Sequence, residues 1–221
     1  MGIFFNPNSY DESKRLIYHS YIALAYSAFD DFLDKFKSDL KSIYGEQSIV
    51  KKKDGEKGID HINRCVKNIK PNSIHRNSFD LEYFLINHYR IIRNEFIHPM
   101  IKKNEPYSCI YNTKYEALYL KKYPKFPELA YREKNSIEFA DFIVLSKAIL
   151  DYAKYITIFA EPDNDYYEAL IDIKKHSKYN IHSERFINSI AQFFVTKYNL
   201  NPDKAKEIAY HHREKVLKSN G

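Results

Sequence analysis

Phe84-Leu-Ile-Asn-His-Tyr-Arg-Ile-Ile-Arg-Asn-Glu-Phe-Ile-His-Pro99 is the stretch on which the reading of the whole chain turns. Leu81, Phe84, Leu85, Ile92 and Phe96 recur at helical spacing and predict one apolar face, with Tyr89 and Ile91 on its margins. Pro99 predicts the end of this helix, because its ring pushes the preceding residue out of the α region. Beside the apolar stripe lies a dense polar set of Asn87, Arg90, Arg93, Asn94 and His98. Arg90, Asn94 and His98 follow one another at four-residue steps and so share a face. Arg93 and His98 stand roughly 140° apart around an ideal helix, straddling the polar face. Three arrangements would bring them to one group: a helix that loosens near Pro99, a long reach by Arg93, or a second copy of the helix facing the first.

On the N-terminal side, Tyr10 to about Tyr44 reads as one long helix, capped by Ser9 or Asp11 and ended by Gly45. Its apolar positions run from Leu16, Ile17, Ile22 and Leu24 through Phe29, Leu33 and Phe36 to Leu40, enough to form a wall of a helical bundle. Gln47 to Gly58, with Lys51, Lys52, Lys53 and Lys57, reads as a solvated loop or, alternatively, as a basic finger for a phosphate backbone. Ile59 to Lys70 predicts a short amphipathic helix, and Asn77 or Ser78 caps the central helix from Phe79 to His98. Beyond Pro99, the segment to Lys134 lacks a sustained period and reads as an irregular or partly helical connection. Asn135 with Glu138 has the spacing of a capping box and opens a strong helix through Phe159. Glu161-Pro-Asp-Asn-Asp breaks the pattern. Three shorter helices follow, over about Tyr166 to His176, Ser183 to Tyr198 and Pro202 to Lys218. No strand pattern competes, so the expected class is all-α, with a helical bundle over residues 1–160 and a three-helix C-terminal extension over 161–221.

Composition narrows the function classes. The 221 residues include only 5 glycines and 8 prolines, which favours helices over tight turns. A net charge of +6 permits an anionic partner such as nucleic acid, although lysine-rich coding bias gives the same balance. Cys65 and Cys109 are isolated thiols without metal spacing, so neither a disulfide framework nor a structural zinc is expected. No apolar run reaches the length of a membrane span and no signal peptide is visible, so the expected compartment is the cytoplasm, with no membrane association.

Arg93-Asn94-Glu95-Phe96-Ile97-His98 resembles the Arg-x(4–6)-His signature of the HEPN superfamily, in which a polar residue such as Asn94 follows the arginine. The resemblance covers roughly Tyr10 to Phe159 and does not extend to the C-terminal helices. It implies an all-helical bundle and a homodimer whose signature helices face each other across a shared cleft. It also implies metal-independent endoribonuclease activity without a cofactor, in a toxin or phage-defence effector controlled by an antitoxin or another protein. Some members of that superfamily instead bind RNA, a nucleotide or a protein without cleaving.

These residue types suit that chemistry. RNA carries its own nucleophile in the 2′-OH, so no metal-bound water is needed. Imidazole as a class exchanges protons near neutral pH, so His98 is the residue type to accept that proton or protonate the leaving 5′ oxygen. Arg93 offers a planar fork for the scissile phosphate, and Asn94 would orient His98 from one turn away. Arg90 and His88 are weaker candidates for contacting RNA. The competing reading makes His98 a C-cap histidine at the helix dipole and Arg93 a surface ion pair. Elsewhere, His211-His212-Arg213 reads as a solvated basic face, and Glu161, Asp163 and Asp165 as an acidic linker with no matching histidine. Tyr89, Tyr107, Tyr111 and Tyr115 could stack on bases, with ordinary aromatic packing as the alternative.

Overall fold

The computed structural model describes residues 7–70, 79–98, 110, 113–131, 136–176, 178–198 and 200–219. All regular structure among them is helical. The chain divides into two compact units, 1–160 and 161–221, with the division falling at the Glu161-Pro162 break.

Unit 1 is built on α1 (Pro7–Tyr44), α2 (Gly58–Ile69), α3 (Asp80–Ile97), α4 (Glu116–Lys122) and α5 (Phe139–Phe159). Helix α1 is already running at Pro7, so neither Ser9 nor Asp11 caps it. Proline suits that place because the first turn has no use for its missing N–H. At the far end Gly45 takes φ +83° and donates to the Lys41 carbonyl at 2.9 Å, a left-handed helix terminator. The box that opens α5 is Glu138 with Asp141, one register later than Asn135 with Glu138. The Glu138 N–H donates to Asp141 Oδ2 at 2.8 Å. Asn77, Ser78 and Asn135 lie outside the described residues.

Ring and hydrogen-bond contacts set the helix directions. His19 meets Phe96 and Tyr26 meets Arg93, so α1 and α3 run antiparallel. Phe79 packs on Tyr152 and Tyr89 donates to Asp141, so α3 and α5 are also antiparallel. Tyr21 meets Phe142 and Phe29 meets Tyr152, which leaves α1 and α5 parallel. Because α3 is covered from both sides, its buried arc is wider than one stripe. Leu81, Leu85, Ile86, Tyr89 and Ile92 are buried, with Tyr89 in the middle of the arc, whereas Phe84 and Phe96 are half-buried. Conversely Leu16, Leu24, Leu150 and Ile158 fit the helical period but remain exposed.

The connection after α3 contributes α4 and a 3-10 turn at Pro127–Tyr131. Helix α4 aims Lys122 between Glu82, which is buried on α3, and Asp151 on α5, 2.6 Å away. Burial alone would favour a neutral Lys122, yet hydrogen bonds to the two carboxylates raise its pKa. Lys122→Met should therefore leave two carboxylates facing each other and cost about 2–4 kcal/mol. Urea denaturation checks this, and adding Glu82→Gln should restore part of the loss.

Unit 2 contains α6 (Asn164–Ala169), α7 (Ile173–His176), α8 (Glu184–Tyr198) and α9 (Pro202–Ser219). The helix expected over Tyr166 to His176 is two pieces. Its second start is at Asp172, whose Oδ1 accepts the Lys174 N–H at 3.2 Å in the manner of a cap. Asn201 does the same for α9, accepting the Asp203 N–H at 2.8 Å. Helices α8 and α9 form an antiparallel hairpin that buries Phe186, Ile187, Ile190 and Phe194 against Ala205, Ile208 and Ala209, with Tyr167 and Ile171 closing the core.

Candidate active site at the end of α3

Arg93, Asn94 and His98 lie at the C-terminal end of α3. Ile97 is the last helical residue, and His98 leaves the helix with φ −125° and ψ 60°. The His98 N–H still closes the last helical turn onto the Asn94 carbonyl, so α3 stays regular up to its cap. Asn94 bonds to both neighbours. Its side-chain Oδ1 accepts from Arg93 Nη1 at 3.0 Å, and its main-chain carbonyl accepts the His98 N–H at 2.9 Å. The expected link from the Asn94 side chain to His98 is thus replaced by a main-chain one, the side-chain oxygen being taken by Arg93. The His98 ring is exposed.

Arg93 is half-buried against α1. Its guanidinium carbon lies 5.8 Å from the centre of the Tyr26 ring, a cation–π distance. Its Nε is enclosed without a hydrogen-bond partner among the described residues. Asp30, one turn beyond Tyr26, has its carboxyl pKa raised by burial, with Arg93 acting in the opposite direction. Burial, followed by Asp30, likewise raises the Tyr26 hydroxyl, against the pull of Arg90 and Arg93. Arg90 is half-buried beside this group. His88 is enclosed, its ring 5.0 Å from Tyr89 and 6.2 Å from Phe84, which makes it a packing residue rather than an RNA contact. Tyr89 donates to Asp141 in the core, and Tyr115 packs on Phe84 at 4.8 Å. Tyr107 and Tyr111 lie outside the described residues.

The sequence reading missed the α1 side of this site. His19, Tyr26 and Asp30 are spaced seven and four residues apart and share a face with Arg15. That recurrence of polar residues within an apolar wall is the signal that could have found them. The His19 ring stacks on Phe96 with centroids 4.5 Å apart and planes 8° from parallel.

No protein-family model, curated protein or solved structure matches the chain. The functional reading therefore stands on residues and geometry.

Unit 2 holds a second polar cluster. Asp165, Glu168 and His211 bring one potential ligand atom each within 4.8 Å of the others, so the acidic segment does have a matching histidine, delivered by α9. Lys215 Nζ, however, bonds Asp165 at 2.9 Å and Glu168 at 2.8 Å, placing an ammonium where a cation would sit. His212 is not on a solvated face; it is buried against Phe186 with its Nε2 enclosed.

Burial lowers the pKa values of His19, His176 and His212. In the unfolded chain each titrates near ~6.5, so below that pH the unfolded state binds more protons. Stability should be complete above this value and fall as pH drops through the lowered folded-state values. Protection factors of α8 and α9 amides, corrected for the intrinsic exchange rate at each pH, should fall from pH 7 to pH 5, and His212→Leu should flatten the unit 2 response.

Proposed function

We propose that this protein is a HEPN-type endoribonuclease acting as a homodimer, with Arg93 and His98 as catalytic residues and Asn94 holding them. The observation that carries the reading is the bond from Arg93 Nη1 to Asn94 Oδ1 at the end of α3, with His98 exposed at the helix cap.

In this reading the 2′-OH of the substrate attacks the adjacent phosphorus and passes its proton to a base. The bond from phosphorus to the 5′ oxygen breaks, and that oxygen takes a proton from an acid. Products carry 2′,3′-cyclic phosphate and 5′-OH ends, and DNA is inert because it lacks the nucleophile. The exposed His98 imidazole of one chain supplies one of the two proton-transfer groups, and the homodimer supplies a second His98. Such an activity harms its host unless restrained, which is why a toxin or defence role under an antitoxin or other protein partner belongs to the proposal.

The test is incubation of the purified protein with cellular RNA in EDTA, followed by end-group analysis. Cleavage that leaves cyclic-phosphate ends is the expected result; cleavage that requires a divalent metal would overturn the mechanism. The contact of Arg93 with Tyr26 favours a second reading, a non-catalytic RNA-binding module, because it commits part of the guanidinium to packing. Bound but intact RNA would identify it.

A further inference from the structure

The Lys51–Lys53 segment is held in a fixed shape that its own sequence does not demand. The Glu56 carboxylate, nearly enclosed, is its anchor. Arg64 grips it with two bonds, Nε to Oε1 at 2.6 Å and Nη2 to Oε2 at 2.7 Å. The same Nη2 reaches the Lys51 carbonyl at 2.8 Å, and the Lys53 N–H donates to Glu56 Oε2 at 2.9 Å. His61 Nε2 lies 2.7 Å from the Val50 carbonyl and ties down the start. Gly55, at φ +70°, lets the chain turn back so that the Glu56 N–H reaches the Lys53 carbonyl.

The Glu56 carboxylate is thereby spent on the Lys53 N–H and on Arg64 rather than on a lysine side chain, and the exposed Asp54 offsets one of the three lysine charges. Lys51, Lys52 and Lys53 are all exposed, and none pairs with a carboxylate among the described residues. Long cationic side chains on a pinned backbone lose less entropy on binding an anion than the same residues on a free loop. Their position relates them to the candidate active site: Gly58, where the loop enters α2, lies against Leu33 of α1, two turns along that helix from Tyr26, which meets Arg93, and Lys52 also acts electrostatically on the Asp30 carboxylate between them.

We propose that Lys51, Lys52 and Lys53 form a binding site for a nucleic-acid phosphodiester backbone that extends the Arg93 site along the substrate strand. The naming of RNA as the strand rests on the ribonuclease reading; the phosphate chemistry rests on the loop itself. Lysines act on phosphate as point charges, so they add affinity without sequence preference and without distinguishing ribose from deoxyribose.

The experiment compares the full chain carrying His98→Ala with the same chain also carrying Lys51→Ala, Lys52→Ala and Lys53→Ala. Binding of a short labelled single-stranded RNA, and of DNA of the same sequence, is followed over rising salt. The expected result is an affinity at least about tenfold weaker for both strands at low salt. The slope of log affinity against log salt should become shallower by about 2, since each single-strand phosphate contact contributes about 0.7. Unchanged affinity and slope would overturn the proposal. An Arg93→Ala arm separates the two readings: loss there, with the lysine variant intact, leaves the active-site reading standing and removes this one. Loss in the lysine variant with Arg93→Ala intact does the reverse. No binding to either strand, or binding only to anionic phosphatidylserine vesicles, would remove both. Circular dichroism should match in the His98 and lysine variants, as those side chains are exposed.

Discussion

His98→Ala should lower RNA cleavage by roughly 10²- to 10⁴-fold, the contribution of a positioned acid–base group. The substitution leaves the fold alone. The ring is exposed, and its bond to Asn94 runs through the main chain, which alanine keeps. Thermal melting should therefore match the parent. Arg93→Ala should cost about 10²- to 10³-fold through lost stabilisation of phosphorane charge. It should also destabilise the unit by about 1 kcal/mol, because the guanidinium leaves the Tyr26 ring. Arg93→Lys separates these effects, keeping the charge while losing the planar fork. If the fork matters, the lysine variant stays well below the parent rate at every RNA concentration. Mixing inactive Arg93→Ala and His98→Ala chains should restore some activity if the cleft is shared between copies. Rates equal to the parent in both single variants would show that the chemistry lies elsewhere.

Tyr152→Ala should have the largest effect on stability, about 3–5 kcal/mol, as expected for emptying a fully enclosed aromatic position. Tyr152 meets Phe29 of α1 and Phe79 at the start of α3 edge-on, both with centroids 5.7 Å away, and its hydroxyl donates to Asn63 of α2 at 2.7 Å. One side chain thus joins four elements. Tyr152→Phe keeps the packing and strands only the Asn63 oxygen, so it should cost about 1–2 kcal/mol. The difference between the two, read from urea denaturation, separates packing from hydrogen bonding. A Tyr152→Ala chain that unfolds at the parent midpoint would mean that this side chain is not central to unit 1.

Periodicity carried most of the architecture. Helices α1, α2, α3, α5, α8 and α9 all follow apolar spacing within the sequence, and Gly45 and Pro202 mark a stop and a start. These signals are local, because a helix end depends on φ preference and a few neighbouring hydrogen bonds. Boundaries failed where two local signals competed. Asn135 and Glu138 have capping spacing, yet Glu138 pairs with Asp141, whose other oxygen also receives Tyr89 from α3. Asp172 split an expected helix for the simpler reason that it caps a new one.

The chain alone specified an all-α class, the break near residue 161, and the polar set Arg90, Arg93, Asn94 and His98 at the end of one core helix. Tertiary structure decided the surroundings of each charge. It turned Arg93 onto Tyr26 beside Asp30, sixty-odd residues away in sequence, and enclosed His88 while leaving His98 open. It brought His211 to Asp165 and Glu168 and then set Lys215 between the carboxylates. Helical periodicity tells which residues share a face. Which face meets which, and so which charges lose water or gain a partner, depends on how separate helices pack, and no local pattern encodes that.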